Sequence, residues 1–347
     1  MFMSKTSLFG LSLSQLTDLV LAEGLPKFTA KQIADWLYKK DIDSIDQMTN
    51  LSLKVREKLA EKYTFGLSKP VKVSESADGT KKYLFSAGEM KFVEAAYIPD
   101  NDRATLCVSS QVGCKMGCLF CMTGKQGFQG NLSAGEIVNQ LRSIPEWHNI
   151  SNIVYMGMGE PFDNLENVLQ SLDILTSEWG MAMSPRRITV STIGVIPAMR
   201  EFLEKSQCHL AVSLHTPFDD ERRSLMPIQN VYPIEEVVKE IRKFDFSGQR
   251  RVSFEYIMFD GVNDSPQHVK EMARLLNGLQ CRVNLIRFHS IPASPLKGSP
   301  DERIFEFRDS LTSKGIFTTI RASRGQDIQA ACGLLSTKEI QKNKGIS

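Results

Sequence analysis

Gly113-Cys114-Lys115-Met116-Gly117-Cys118-Leu119-Phe120-Cys121-Met122 carries three thiols at the spacing Cys-x3-Cys-x2-Cys, shortly after the apolar run Leu106-Cys107-Val108. A closed iron–sulfur cube takes four thiolates, so three leave one iron without a protein ligand. An open metal position is where catalytic sites take substrate, whereas structural sites are filled. Zinc is the competing reading, since Cys-x2-Cys is common in zinc modules and Cys107 offers a fourth thiol. Zinc modules usually present two spaced pairs, and no second Cys/His pair is visible. The run also follows the first strand of a βα series, and barrel enzymes build active sites in loops at the carboxyl ends of their strands. On this reading Cys114, Cys118 and Cys121 anchor a [4Fe-4S] cluster.

The βα series is read downstream of that run. Apolar strand-like segments are Ile153 to Met156, Ile188 to Ser191, Leu210 to Leu214, Val252 to Met258, Val283 to Phe288 and Phe317 to Arg321. Between them lie helical patterns at Ala134 to Ile144, Asn164 to Thr176, Pro197 to Lys205, Ile234 to Phe244, Gln267 to Leu279 and Asp301 to Ser313. Repeated βα units imply a parallel sheet with helices outside. Six or so units over roughly 220 residues predict an α/β fold with a partial (β/α)6 barrel, short of eight repeats. Upstream, Lys81 to Ser86 and Met90 to Ile98 flank Ala87-Gly88-Glu89, which reads as a hairpin. From Ser12 to Tyr63 the pattern is helical: Leu16, Leu19 and Val20 recur at helical spacing, as do Ile33, Leu37 and Tyr38, with Ser12 and Thr29 as N-caps. The expected division is a small N-terminal helical domain over 1–70, a β-hairpin extension over 71–99, the barrel over 100–336 and a polar, lysine-rich tail over 337–347.

The 347 residues, 42% of them hydrophobic, suffice for one large core and a smaller satellite. A net charge of +2 gives no bulk case for nucleic-acid binding, so any such surface must come from local clusters. Candidates are Arg186-Arg187, Arg222-Arg223, Arg250-Arg251, Arg321 with Arg324, and Lys31, Lys39 and Lys40 near Trp36; Trp36 reads equally well as core. Seven irregularly spaced cysteines behind an N-terminus without a secretory pattern indicate reduced thiols and a cytoplasmic location. No apolar run reaches membrane-spanning length, and no repeat or heptad pattern suggests more than a monomer.

Further stretches carry a resemblance. They are Cys114-Lys115-Met116-Gly117-Cys118, Gln126-Gly127-Phe128 leading to Asn131-Leu132, Met156-Gly157-Met158-Gly159-Glu160-Pro161, Ser213-Leu214-His215, and Asp327-Ile328-Gln329-Ala330-Ala331-Cys332-Gly333. Over nearly the whole chain the sequence resembles the RlmN family of the radical-SAM superfamily, dual-specificity methyltransferases acting on adenine carbon 2 in 23S rRNA and tRNA. The resemblance implies a radical-SAM barrel, a [4Fe-4S] cluster and S-adenosylmethionine (SAM), with an electron donor such as a flavodoxin or ferredoxin system. Pro161 after Glu160 favours this family over the related carbon-8 enzymes of the Cfr type, which usually have alanine there. A zinc-stabilised RNA-binding protein without catalysis is the rival of another class.

The resemblance also implies roles. Gly159 and Glu160 would hold the methionine part of SAM, Glu160 offering a negative partner to its ammonium group. Ser191, Ser213, Leu214 and His215 would line the SAM pocket, and His289 stands where the family usually has asparagine. Cys332 matches the cysteine that is itself methylated and carries carbon to the base, and Cys107 its partner in a transient disulfide. Glu94 matches a proton acceptor, although on its own it reads as a solvent-facing hairpin residue; either Glu94 or Cys107 would remove the carbon-2 proton. Cys208 and Cys281, each at a strand start, read as buried small hydrophobes.

Overall fold

Alternation of β-branched runs with amphipathic stretches builds one ten-stranded mixed sheet in the computed structural model, which describes residues 5–292, 294–325, 327–328, 335–337 and 339. The chain opens with β1 (Thr6–Ser7) and α1 (Leu13–Ala22). Ser12 caps α1 as expected: its hydroxyl accepts from the Gln15 amide at 3.2 Å, and the Gln15 side chain accepts from the Ser12 amide at 2.8 Å. α2 (Thr29–Lys39) departs from expectation. Phe28 is its cap, and Thr29 is the first helical residue, buried among apolar neighbours instead of reaching back to the amides. α3 (Leu53–Lys62) leads into β2 (Tyr63–Thr64), which pairs parallel with β1.

The expected hairpin is part of something larger. β3 (Lys72–Glu75), β4 (Lys81–Ser86) and β5 (Phe92–Asp100) form an antiparallel meander, and β5 pairs antiparallel with β6 (Arg103–Cys107), the first strand of the parallel series. After β6, the short pair β7 (Gln111–Val112) and β8 (Gly130–Asn131) brackets the cysteine loop and α4 (Met122–Gln126). Then come α5 (Ala134–Arg142), β9 (Asn152–Tyr155), α6 (Leu165–Thr176), β10 (Ile188–Thr192), α7 (Ile196–Lys205), β11 (His209–Ser213), α8 (Asp219–Leu225) and α9 (Ile234–Ile241). β12 (Val252–Met258), α10 (Pro266–Leu276), β13 (Cys281–Arg287), α11 (Asp301–Ser313) and β14 (Phe317–Ile320) complete the series. The bounds of the expected strands and helices lie within three residues of those predicted from the sequence, and α8 has no counterpart among them.

Strand order is β14-β13-β12-β11-β10-β9-β6-β5-β4-β3, with β6 and β9 through β14 mutually parallel. Helical crossovers link these seven parallel strands, six βα units and a final strand, so the fold is the expected partial barrel. Its interior is apolar where both faces are covered, as at Phe254, Tyr256, Val283 and Leu285. Cys208 is fully buried and Cys281 half-buried, and burial lifts their thiols to about 11 and about 12. The N-terminal helices share the same apolar core: Leu16, Ile33, Leu37 and Tyr38 belong to the cluster that includes Ile137, Tyr155 and Phe254. Trp36 packs against that core while its indole donates to Asn50, which supports the structural reading of this residue.

Candidate active site

The cysteine loop sits over the carboxyl ends of the parallel strands. Gly113 makes its first bend at φ +70, where a Cβ would lie 1.7 Å from the Gly127 carbonyl oxygen, so only glycine fits. The Cys121 amide donates to the Cys118 carbonyl at 3.1 Å, and the Leu119 amide to the Leu225 carbonyl at 2.9 Å, tying the loop to the end of α8. Cys118 lies in a second apolar cluster with Ile193, Leu225, Met226 and Phe259, against which Phe120 and Cys121 pack. Cys114 and Cys118 are buried and Cys121 is half-buried. Burial lifts the Cys114 thiol to about 12 and the Cys118 thiol further; Cys121 adds to both, and Cys114 adds to Cys118. Bound cationic iron reverses that preference, because metal ligation needs thiolates. Among the described residues no three His, Cys, Asp or Glu side chains are gathered as around a metal ion. Three soft thiols in a dry setting suit an iron–sulfur cluster.

The glycine-rich turn after β9 packs directly on the segment leading into this loop. The Gly157 amide donates to the Val108 carbonyl at 3.0 Å, and a Cβ on Gly157 would stand 2.6 Å from that same oxygen. Gly159 is at φ +98, its missing Cβ facing Gln111. Gln111 is a hub that sequence reading passed over: its side chain accepts from the Glu160 amide at 2.9 Å and donates to Asn131 and Asp163, each at 2.8 Å. Glu160 is held on both carboxylate oxygens. Its two carboxylate oxygens accept from the Phe162 amide at 3.1 Å and the Ile193 amide at 3.0 Å, so they are already engaged inside the fold. Burial raises this carboxyl to about 7 against the pull of Thr192 and those amides. A ligand's ammonium group would therefore meet backbone groups of the turn and a carboxylate it must share.

Ser191 and Ser213 are half-buried on β10 and β11, and Ser213 is in register with the buried Glu255 of β12. Leu214 is fully buried. His215 stands at φ +58, its Nδ1 accepting from the Ile257 amide at 3.0 Å and its ring edge-on to Phe120 at 4.7 Å. Burial, aided by Arg222, lowers this imidazole to about 3, so it is neutral and joins the cysteine loop to the barrel. His289 is exposed after β13, with Nε2 3.2 Å from the Ser323 hydroxyl, and partial desolvation on its inner side, with the Arg287 charge, lowers its basicity.

A cavity of about 530 Å³ opens here, walled among others by Cys107, Phe120, Cys121, Met156, Phe288 and His289. Cys107 of the strand and Cys121 of the loop thus share one space. Cys332 lies outside the described residues. Glu94 corrects the solvent-facing reading: it is 2% exposed, and its carboxylate lies 2.7 Å from the ammonium group of Lys82, itself 1% exposed. The alternation of β5 gives the face but not that the meander is roofed on that side, and Lys82 carried no sequence signal.

The basic clusters separate. Arg222 is fully buried, donating to the carbonyls of Ile193, Ser213 and Leu214 and to the Gln229 side chain, so it is removed from any RNA surface. Arg223 pairs with Asp220, Arg324 with Asp100, and Arg250 caps the carbonyls of Leu203 and Ser206. Arg186, Arg187 and Arg251 remain exposed. No helix among the described residues is long and apolar enough to cross a membrane.

Residues 6–64 match the family described as the ribosomal RNA large subunit methyltransferase N-terminal domain, and residues 108–276 match the Radical SAM superfamily. The chain is 57% identical over 343 residues to a protein of Phocaeicola vulgatus named probable dual-specificity RNA methyltransferase RlmN, covering 99% of this chain and 98% of that one. It is 42% identical over 347 residues to the dual-specificity RNA methyltransferase RlmN of Syntrophus aciditrophicus, covering 99% of each. The crystal structure of a radical SAM methyltransferase from Sphaerobacter thermophilus superposes with a TM-score of 0.88 at 42% identity, over 94% of this chain and 98% of that one.

Proposed function

Because the chain belongs to the RlmN family of radical SAM RNA methyltransferases, we propose that it methylates carbon 2 of an adenine in 23S rRNA, at the peptidyl transferase centre, and of the adenine at position 37 in tRNAs. The observation that carries this reading is the shared cavity at the barrel mouth, where Cys107 and the cluster-loop Cys121 form parts of one wall. Cys114, Cys118 and Cys121 would hold a [4Fe-4S] cluster, and the Gly157–Glu160 turn with Ser191, Ser213, Leu214, His215 and His289 would bound the SAM site. Bound there, reduced cluster and SAM supply radical chemistry, which carbon 2 requires because an electron-poor ring carbon cannot attack a sulfonium methyl group.

The chain's own groups do the rest. Cys332 is the nucleophile that takes up a methyl group and presents it to the base. Cys107 attacks the carrier sulfur to release the product, leaving a Cys107–Cys332 disulfide that an external reductant reopens. Glu94, a buried carboxylate beside Lys82, takes the proton from carbon 2. The adenine must be swung out of its stack to enter the cavity. Exposed cations such as Arg186, Arg187 and Arg251 serve phosphates, with Lys31, Lys39 and Lys40 of the N-terminal helices. The setting is cytoplasmic, the enzyme a monomer, and a flavodoxin- or ferredoxin-type donor reduces the cluster. The N-terminal helices serve as an RNA-binding accessory domain.

Methylation of defined RNA fragments with labelled SAM tests the position: label at carbon 2 is expected, and label at carbon 8 would move the enzyme to the Cfr type. Anaerobic protein should contain iron and sulfide; stoichiometric zinc alone would leave only an RNA-binding role. Cys107→Ala should accumulate protein joined covalently to RNA, seen as a shifted band on denaturing gels. Recovery of only free RNA and free protein counts against its resolving role.

A further inference from the structure

We propose that Lys82 is a positioning residue for proton removal, its ammonium group fixing the Glu94 carboxylate beside the cavity at the barrel mouth. This rests on reading Glu94 as the proton acceptor. Three strands supply the geometry. Lys82 of β4 pairs with Ala96 of β5, and Ala96 pairs with Cys107 of β6, so the three occupy one row and one face of the sheet. Ala96 and Cys107 wall the cavity, as does Thr80, two residues before Lys82. Glu94 lies two residues before Ala96, on the same face and one pleat further along.

Each part of Glu94 is held. One carboxylate oxygen lies 2.7 Å from the Lys82 ammonium, and the other accepts from the Ser336 amide at 2.6 Å. Its main-chain carbonyl accepts from the Ser109 hydroxyl at 2.6 Å, which in turn accepts from the Met158 amide at 2.9 Å. The acceptor is thereby coupled to the glycine-rich turn. Lys82 from β4 and Cys107 from β6 share the sheet face of Glu94, and Ser109 and Ser336 add neutral groups.

Both side chains of the pair are 1% exposed. A buried ion pair is poor value for stability, since desolvation offsets the attraction. Its worth here is geometric, since the ammonium group fixes where the carboxylate oxygen stands. With Lys82 in place the transfer balances: the carbon–hydrogen bond of the base breaks, an O–H bond forms on Glu94, and the electron pair stays with the ring.

The test uses anaerobically reconstituted holoenzyme with a defined RNA hairpin, following release of product from the covalent adduct between about pH 6 and pH 9.5. Glu94→Gln should slow release by roughly 10²–10⁴-fold at every pH. Lys82→Gln should slow it by roughly a hundredfold, the loss that follows when a catalytic group is misplaced by about 1 Å. Lys82→Arg should restore the wild-type profile. The double variant Lys82→Gln/Glu94→Gln buries no lone charge, which keeps the test open if the single variant folds poorly; it should be no slower than Glu94→Gln alone. Wild-type release in Lys82→Gln, a loss that Lys82→Arg does not recover, or additive losses in the double variant would overturn the positioning role. Wild-type speed in Glu94→Gln would instead remove Glu94 as acceptor, which is a separate failure.

Discussion

At the scale of single residues, Arg222 shows how position overrides type. Beside Arg223 it reads as half of a solvated basic pair, yet it is fully buried and donates 2.6 Å to Gln229, 2.9 Å to the Ile193 carbonyl and 3.1 Å to that of Ser213. Burial lowers its guanidinium to about 10, so it keeps its proton at neutral pH. It joins the ends of β10 and β11 directly behind the apolar cluster that holds Cys118. Arg222→Met should cost at least about 3 kcal/mol in urea unfolding of the apoprotein, since three carbonyls and an amide oxygen lose a charged donor inside the fold. A change below about 1 kcal/mol would show that water replaces the side chain there. Cys114, Cys118 and Cys121 stand out in the sequence because their message is local spacing. Arg222, Lys82 and Glu94 do not, because their burial is set by strands and helices distant in sequence.

Among the elements, Val252–Met258 was read to the residue, since a buried parallel strand is a nearly continuous apolar run between polar ends. The meander was read only as a hairpin. β3 carries Lys72, Ser74 and Glu75 on a largely exposed edge, so no apolar alternation announces it. Its value lies in what its β3–β4 turn holds. The Asp78 carboxylate accepts from the Gly325 amide at 2.9 Å, and the Asp327 carboxylate accepts from the Ala77 amide at 3.0 Å and from the Ser76 hydroxyl. Arg324 pairs with Asp100 at 3.0 Å, and Lys72 with Glu339 at 3.1 Å. The meander thus grips the chain on both sides of the stretch that contains Cys332. The amides of Gly325 and Thr80 hold the Asp78 carboxyl well below the usual carboxylate range. A depressed carboxyl gives its stabilisation above its unfolded value, near pH 4, and loses it as pH falls through the folded one. The clasp therefore stays closed across neutral pH and opens only in strong acid. Asp78→Ala should speed hydrogen exchange at the Gly325 amide by roughly tenfold at neutral pH. Unchanged exchange there would mean that the neighbouring clasps suffice.

For the whole molecule, the question is whether the N-terminal helices are a separate body or part of the barrel's core. Composition alone suggested a satellite, and the helical pattern before Tyr63 stops where strands begin. The contacts say that the two are packed as one. The Tyr38 hydroxyl donates to the Leu11 carbonyl at 2.6 Å and accepts from the Gly10 amide at 3.1 Å, and its ring meets Trp179 edge-on at 5.7 Å. Asn139 of α5 exchanges two hydrogen bonds of 2.9 Å with the backbone of Ser68. Gln170 of α6 donates to the Gly10 carbonyl at 2.7 Å. Gly10 and Gly135 approach so closely that a Cβ on Gly135 would stand 2.6 Å from the Phe9 carbonyl oxygen. Apolar residues of both parts belong to one continuous cluster. Segments that share a core and exchange backbone hydrogen bonds lose each other's support on opening, so they should melt together. Gly135→Val wedges this contact at one point. It should lower the single calorimetric transition of the entire apoprotein, by roughly 1–3 kcal/mol of overpacking cost, without splitting it. A trace in which a small early transition separates while the main one keeps its wild-type midpoint would show that the helices are held to the barrel more loosely than this packing requires.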